Sequence, residues 1–131
     1  KSYNNTIPLF DTPKKLRKLI MKIKTNSLGP DEPKDPDTCT LFSIYKAFAC
    51  ESEVIKMKER YHQGIAWGTM KTELFEYIDA ILKNPRKTYE ELIKNPSDID
   101  EILKKGAEKA RQFSVPFLEK IRKAVGITSL G

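Results

Sequence analysis

The chain has a single histidine, His62, so no His-based metal cluster can form and a Ser/His/Asp constellation has one imidazole to draw on. With an unperturbed pKa of about 6.5 it could act as an acid or base, but it reads as a polar residue at a helix end. Cys39 and Cys50 lack close metal-ligand spacing and sit beside apolar residues, which reads as buried free thiols rather than as ligands or redox partners. The glycines are scattered, and Gly64-Ile65-Ala66-Trp67-Gly68 follows a predicted helix, whereas a phosphate-cradling loop follows a strand. Trp67 reads as a plug for the end of a bundle, with stacking on a nucleic-acid base as the alternative. Glu90-Glu91 and the group Asp98, Asp100 and Glu101 fall in helix first turns or on exposed faces, where the helix dipole explains them. No metal site and no self-contained reaction centre is expected.

Positive charge is the more informative chemistry. Lys and Arg number 24 against 18 Asp and Glu, a net charge of +6 that favours an anionic partner. Between residues 12 and 24 stand Lys14, Lys15, Arg17, Lys18, Lys22 and Lys24 without an acid among them. A second cluster holds Lys104, Lys105, Lys109, Arg111, Lys120, Arg122 and Lys123 against Glu108 and Glu119. Such faces bind nucleic-acid phosphates, or they merely keep a helix solvated.

The elements that must carry these residues are set by spacing. At 131 residues the chain suits one domain. The 6 Phe, 5 Tyr and 1 Trp, with aliphatics at regular intervals, argue against disorder. No run approaches the roughly 18 apolar residues of a membrane span, so the chain reads as soluble. Two cysteines and no apolar leader predict the reducing cytoplasm. The chain begins with Lys rather than Met, which predicts a fragment.

Thr12 and Pro13 open a first helix with Leu16, Leu19, Ile20 and Ile23 on its apolar face. Residues 26–37 hold three prolines and a glycine, predicting a long loop, either a functional or hinge-like segment or an exposed insertion. Leu41, Ile44, Tyr45 and Phe48 mark a short helix starting near Thr38 or Thr40. Val54, Met57 and Tyr61 mark its antiparallel neighbour, ended by Gly64. Met70, Leu74, Ile78 and Ile81, flanked by Phe75 and Leu82, predict a fourth helix that Pro85 kinks or interrupts before Tyr89, Leu92 and Ile93 continue it. Ser97, three residues before Asp100, is the expected cap of a long last helix carrying Ile99, Ile102, Leu103, Phe113, Phe117 and Ile121, with Pro116 as a kink and Gly126 as its stop. Nothing alternates with period two. The expectation is an all-α, antiparallel bundle of about five helices, two of them long and proline-kinked.

Lys1-Ser2-Tyr3-Asn4-Asn5-Thr6-Ile7 resembles the end of the Lys-Met-Ser-Lys-Ser signature of class I aminoacyl-tRNA synthetases, without its first three residues. The remainder of the chain is similar in order to bacterial tryptophanyl-tRNA synthetases: a basic helix, Thr40-Leu41-Phe42-Ser43-Ile44-Tyr45, a turn from Tyr61 to Gly68, Gly106-Ala107-Glu108-Lys109-Ala110, and Ala124-Val125-Gly126. The resemblance covers nearly all of the residues.

It implies a C-terminal fragment of a parent enzyme that activates tryptophan with ATP and Mg2+ and transfers it to tRNA(Trp), as a homodimer, with no membrane and no DNA among its partners. Residues 1–11 would be the tail of the signature loop and a linker, and residues 12–131 a helical anticodon-recognition domain. Lys1 resembles the second signature lysine, which interacts with the ATP phosphates and stabilises charge as pyrophosphate leaves. Ser2 resembles the last signature serine, and Asn5 the asparagine that helps to set that loop. By itself the fragment is expected to bind no cofactor and to be inactive. Charge and location in the Gly-Ala-Glu-Lys-Ala helix nominate Lys105, Lys109 and Arg111 for RNA contact. The rival expectation is a helical protein-interaction module without an RNA role, docking a partner through Asp31 to Asp37.

Overall fold

A computed structural model of the protein describes residues 6–127. They form five helices and no strand: α1 (Pro13–Met21), α2 (Thr40–Phe48), α3 (Glu51–Gln63), α4 (Trp67–Lys94) and α5 (Pro96–Ala124). The all-α bundle of five helices is therefore what the sequence predicts. The chain divides into two compact units, Lys1–Lys87 and Thr88–Gly131.

In the first unit local signals set the start of α1 and both ends of α3. Thr12 caps α1 by accepting a hydrogen bond from the Lys15 amide at 3.4 Å, and Pro13 takes the first helical position, where its missing N–H costs nothing. Glu53 reaches back to the Cys50 amide at 3.0 Å at the start of α3. Gly64 ends α3 at φ +96°, a conformation that a side chain resists. The chain also passes close there: a Cβ at Gly64 would lie 2.6 Å from the Asp31 carbonyl carbon.

The core gathers one stripe from each of α1, α2, α3 and α4. Leu16, Ile20, Leu41, Tyr61, Met70 and Leu74 have no exposed surface, and Phe42, Tyr45, Met57, Ile65, Ile78 and Leu82 complete the cluster. Phe42 meets Tyr61 edge-on at 5.2 Å between ring centroids, the arrangement that ring quadrupoles favour. Burial pushes the Tyr61 hydroxyl well above its ordinary pKa, and its neighbour is the Cys39 sulfur at 3.4 Å.

Three expectations need correction, the first being the buried thiols: Cys50 is exposed at the start of α3 and Cys39 is half-buried. On α4 the buried row is Met70, Leu74, Ile78 and Leu82, while Ile81 is exposed, because an unbroken four-residue step keeps side chains over one another. Of the two outcomes open for Pro85, interruption does not occur, and α4 continues through Tyr89, Leu92 and Ile93 as expected. At α5, Ser97 is no cap: Asn95 takes the cap position without a side-chain bond and Pro96 sits in the first turn, so the helix opens earlier than its apolar pattern. Pro116 lies inside α5, and Gly126, at φ +76°, follows its end as predicted.

The second unit consists of the end of α4, Asn95 and α5. No residue of α5 is buried, although Ile102, Leu103, Phe113, Phe117 and Ile121 share one helical side.

Candidate nucleic-acid interface

The first basic cluster becomes a stripe because α1 is helical. Lys14, Lys18 and Lys22 recur every four residues and stand exposed on one side, opposite the buried Leu16 and Ile20. Two other cations of this segment, Lys15 and Arg17, have partners within the unit. Lys15 pairs with Asp11 at 3.0 Å, which with its hydrogen bond holds the Asp11 carboxyl below the ordinary range, and the Arg17 guanidinium lies 5.8 Å from the Phe75 ring centroid. Lys14, Lys18 and Lys22 thus give a row of ammonium groups roughly 6 Å apart, the one-turn repeat of a helix.

Beyond the end of α1 the chain enters residues 26–37, and this loop is tied down along its length. The Lys34 amide donates to the Tyr61 carbonyl at 2.8 Å, joining the loop to the end of α3. The Lys34 side chain, 2 % exposed, donates to the carbonyls of Gly29 at 2.6 Å and Glu32 at 2.8 Å. Its Nζ also lies 5.3 Å from the Trp67 ring centroid. A buried ammonium without a carboxylate is tolerable here because backbone oxygens and an aromatic face share its charge. Lys58 adds an ion pair to Asp37 at 3.1 Å, and the Gly29 amide donates to the Glu32 carboxylate.

The loop fixes Trp67 in turn. The Trp67 indole N–H donates to Asn26 Oδ1 at 3.1 Å, and the ring meets Tyr61 edge-on at 6.1 Å. A cleft of about 270 Å³ opens beside it, lined by Lys24, Asn26, Asp35, Thr38, Thr40 and Trp67 among others. The Asp35 carboxyl is held below the ordinary carboxylate range, first by the Thr38 hydroxyl, which donates at 2.8 Å, and then by the Asp37 amide at 3.0 Å. Asp35 is therefore an ionised acceptor at neutral pH. Trp67 is half-buried against the core and also forms a wall of this cleft.

The second basic cluster is arranged differently. Lys105, Lys109 and Arg111 are all exposed on α5. Lys105 and Lys109 are neighbours one turn apart, whereas Arg111 lies nearly opposite, because each residue turns the helix by about 100°. Arg111 instead shares a shallow depression of about 500 Å³ with Lys104, Glu108 and Asp100. The structure brings two of the three nominated cations together and separates the third.

Lys1, Ser2 and Asn5 lie outside the described residues. His62 is exposed in the last turn of α3. Among the described residues no group of three or more His, Cys, Asp or Glu could hold a metal ion. Among them, too, no helix is long and apolar enough to cross a membrane. Sequence reasoning missed Lys34 altogether. The available signal was a lone lysine inside a proline-rich segment, which reads as solvated until the fold wraps the loop around it.

Against known proteins, no family model matches the chain. It is 45% identical over 130 residues to the tryptophan–tRNA ligase of Pseudomonas aeruginosa, covering 99% of this chain and 29% of that protein. It is 48% identical over 130 residues to the Neisseria meningitidis tryptophan–tRNA ligase, with 99% and 39% covered. Its fold is similar to that of Campylobacter jejuni tryptophanyl-tRNA synthetase complexed with ADP and tryptophan, at a TM-score of 0.82 and 39% identity over 96% of this chain and 40% of that one. The chain thus spans less than half the length of these relatives.

Proposed function

We propose, from the premise that the chain belongs to the tryptophan–tRNA ligase family as its C-terminal part, that it is the tRNA-recognition region of such an enzyme. The observation that carries this reading is the exposed row Lys14, Lys18 and Lys22, backed by a rigid core. Lysines on a fixed helix meet phosphates at a fixed register, which positions an RNA, while sequence is read elsewhere by contacts to unstacked bases. Residues 12–131 are the helical recognition region for the anticodon arm of tRNA(Trp), and residues 1–11 the tail of the signature loop with its linker. Lys105, Lys109 and Arg111 supply further phosphate contacts, with Arg111 reaching a different part of the RNA because it faces another way.

The whole enzyme attaches tryptophan to tRNA with ATP and Mg2+, as a cytoplasmic homodimer. In it Lys1 acts on the ATP phosphates and Ser2 belongs to the same loop. In a full-length ligase, Lys1→Ala lowers the rate of adenylate formation far more than it weakens tryptophan binding, because its interaction strengthens as charge develops at the phosphates. The chain by itself turns over neither tryptophan nor ATP.

Binding of tRNA to the chain, titrated at several salt concentrations, tests the reading. The logarithm of the affinity falls linearly with that of salt, by about 0.9 per duplex phosphate neutralised and 0.7 per single-strand phosphate. Affinity indifferent to salt overturns it. The protein-docking alternative drew on a free proline-rich loop, and that loop is committed to its own unit through Lys34 and Asp37.

A further inference from the structure

We propose that the cleft beside Trp67 receives one unstacked nucleobase bearing an exocyclic amine, such as cytosine, and reads it through Asp35. This rests on the tRNA-recognition reading and adds a place where sequence is read.

The cleft's size favours a single ring system, since about 270 Å³ falls just below the roughly 300 Å³ at which clefts for drug-sized ligands begin. Its walls offer both signs of hydrogen-bonding group. Asp35 is acceptor-only, and each of its oxygens already takes one bond, from Thr38 or from the Asp37 amide, leaving each with a further lone pair. The same lining holds donors: the Lys24 ammonium, the Thr40 hydroxyl, and the start of α2, whose cap position is filled by Cys39 without a side-chain bond to the first-turn amides. A cytosine edge sets an amine beside a ring nitrogen and a carbonyl oxygen, so the amine meets the carboxylate and the acceptors meet the donors. In the same pose uracil sets its O4 carbonyl oxygen against the Asp35 carboxylate and its N3–H against the donors.

A phosphate is the wrong guest for this cleft, because the Asp35 carboxylate repels it while Lys14, Lys18 and Lys22 lie open nearby in sequence on α1. Lys24 follows that row and lines the cleft, so a strand held by its backbone along α1 has a base within reach of Asp35. The wall is already set: Asn26, Lys34 and Tyr61 hold the Trp67 ring, so little ordering is left to binding.

The chain has one tryptophan, so its NMR spectrum contains a single indole N–H signal, and that reporter lies in the cleft wall. Full-length chain is titrated with CMP and, separately, with UMP, which share sugar and phosphate. CMP is expected to shift the Trp67 indole signal and the Thr38 and Thr40 amides, with a dissociation constant about tenfold below that of UMP, the value of one well-made contact to a base edge. D35N keeps an acceptor for Thr38 but loses the charge, and should bring CMP and UMP level. Lys24→Met, at an exposed position, should weaken CMP without altering the spectrum of the free chain.

Equal responses to CMP and UMP, no response at Trp67, or an unchanged preference in D35N each overturn the proposal. The underlying reading fails separately. Salt-dependent tRNA binding with no response at Trp67 removes the base cleft and leaves the recognition surface. A CMP response without tRNA binding does the reverse.

Discussion

Residues of α1 through the first part of α4 and residues of α5 carry the same kind of pattern, yet only the former close it. Leu16, Ile20, Leu41, Met70 and Leu74 are wholly buried, while Phe113 on α5 is 80% exposed and Phe117 65%. Apolar periodicity fixes that a segment is helical and which side is apolar; whether that side is covered depends on what the chain brings to it. The cations of the two regions differ likewise. On α1 they form a row, and on α5 Lys105 and Lys109 turn away from Arg111.

The largest expected effect compares a buried with an exposed apolar side chain. Leu74→Ala should lower unfolding free energy by about 2–5 kcal/mol through the cavity it leaves, whereas Phe113→Ala should change it by less than about 0.5 kcal/mol. Urea unfolding followed by Trp67 fluorescence measures both. Equal losses would mean that α5 packs as tightly in solution as the core does.

Next comes the close passage at Gly64. Gly64→Ala combines φ +96° with a Cβ driven against the Asp31 backbone, and should cost roughly 3 kcal/mol, the upper end for a strained backbone position. The Trp67 indole signal should move with it, since residues 26–37 must shift. Gly106→Ala is the control: a Cβ there meets nothing within 4 Å, and replacing a mid-helix glycine should stabilise α5 by up to about 1 kcal/mol.

Lys34→Met should cost about 2 kcal/mol, because the Gly29 and Glu32 carbonyls lose their buried donor while the stem volume is retained. Amide hydrogen exchange should accelerate over residues 26–37 and leave α5 unchanged. An undisturbed loop would show that its prolines, rather than the ammonium, hold it.

The smallest effect is with pH. Glu53 accepts from the Tyr77 hydroxyl at 2.6 Å and from Cys50, which lowers its carboxyl below the ordinary 4.5 and pushes Tyr77 up to about 12. A depressed carboxyl stabilises the fold above its unfolded pKa, and that contribution disappears as pH falls through the folded pKa. The gap in urea midpoint between the native chain and Glu53→Gln should therefore be present at neutral pH and close in acid. A gap that persists below both pKa values would assign the difference to packing.

Much of the fold was legible because local rules decide it. Thr12 marks a boundary by its capping hydroxyl, Pro13, Gly64 and Gly126 mark boundaries by backbone chemistry, and the four-residue rows mark faces. The misplaced details are those in which two local rules compete: Ile81 and Leu82 both fit an apolar stripe, and Ser97 and Pro96 both fit a helix start. The site was less legible. The basic row on α1 is set by spacing, but the cleft needs Asn26, Asp35 and Thr38 brought to Trp67, far from them in sequence, and a lysine whose burial no spacing announces.

The most direct test removes the α1 row. Binding of tRNA is compared across a salt series for the native chain and for one carrying Lys14→Ala, Lys18→Ala and Lys22→Ala, at exposed positions that leave the core intact. Weaker binding is expected, with a salt slope reduced in magnitude by about 2–3, close to one unit for each lysine that met a phosphate. An unchanged affinity and slope would contradict the phosphate-binding role of this helix, since α1 would then be a solvated face and nothing more.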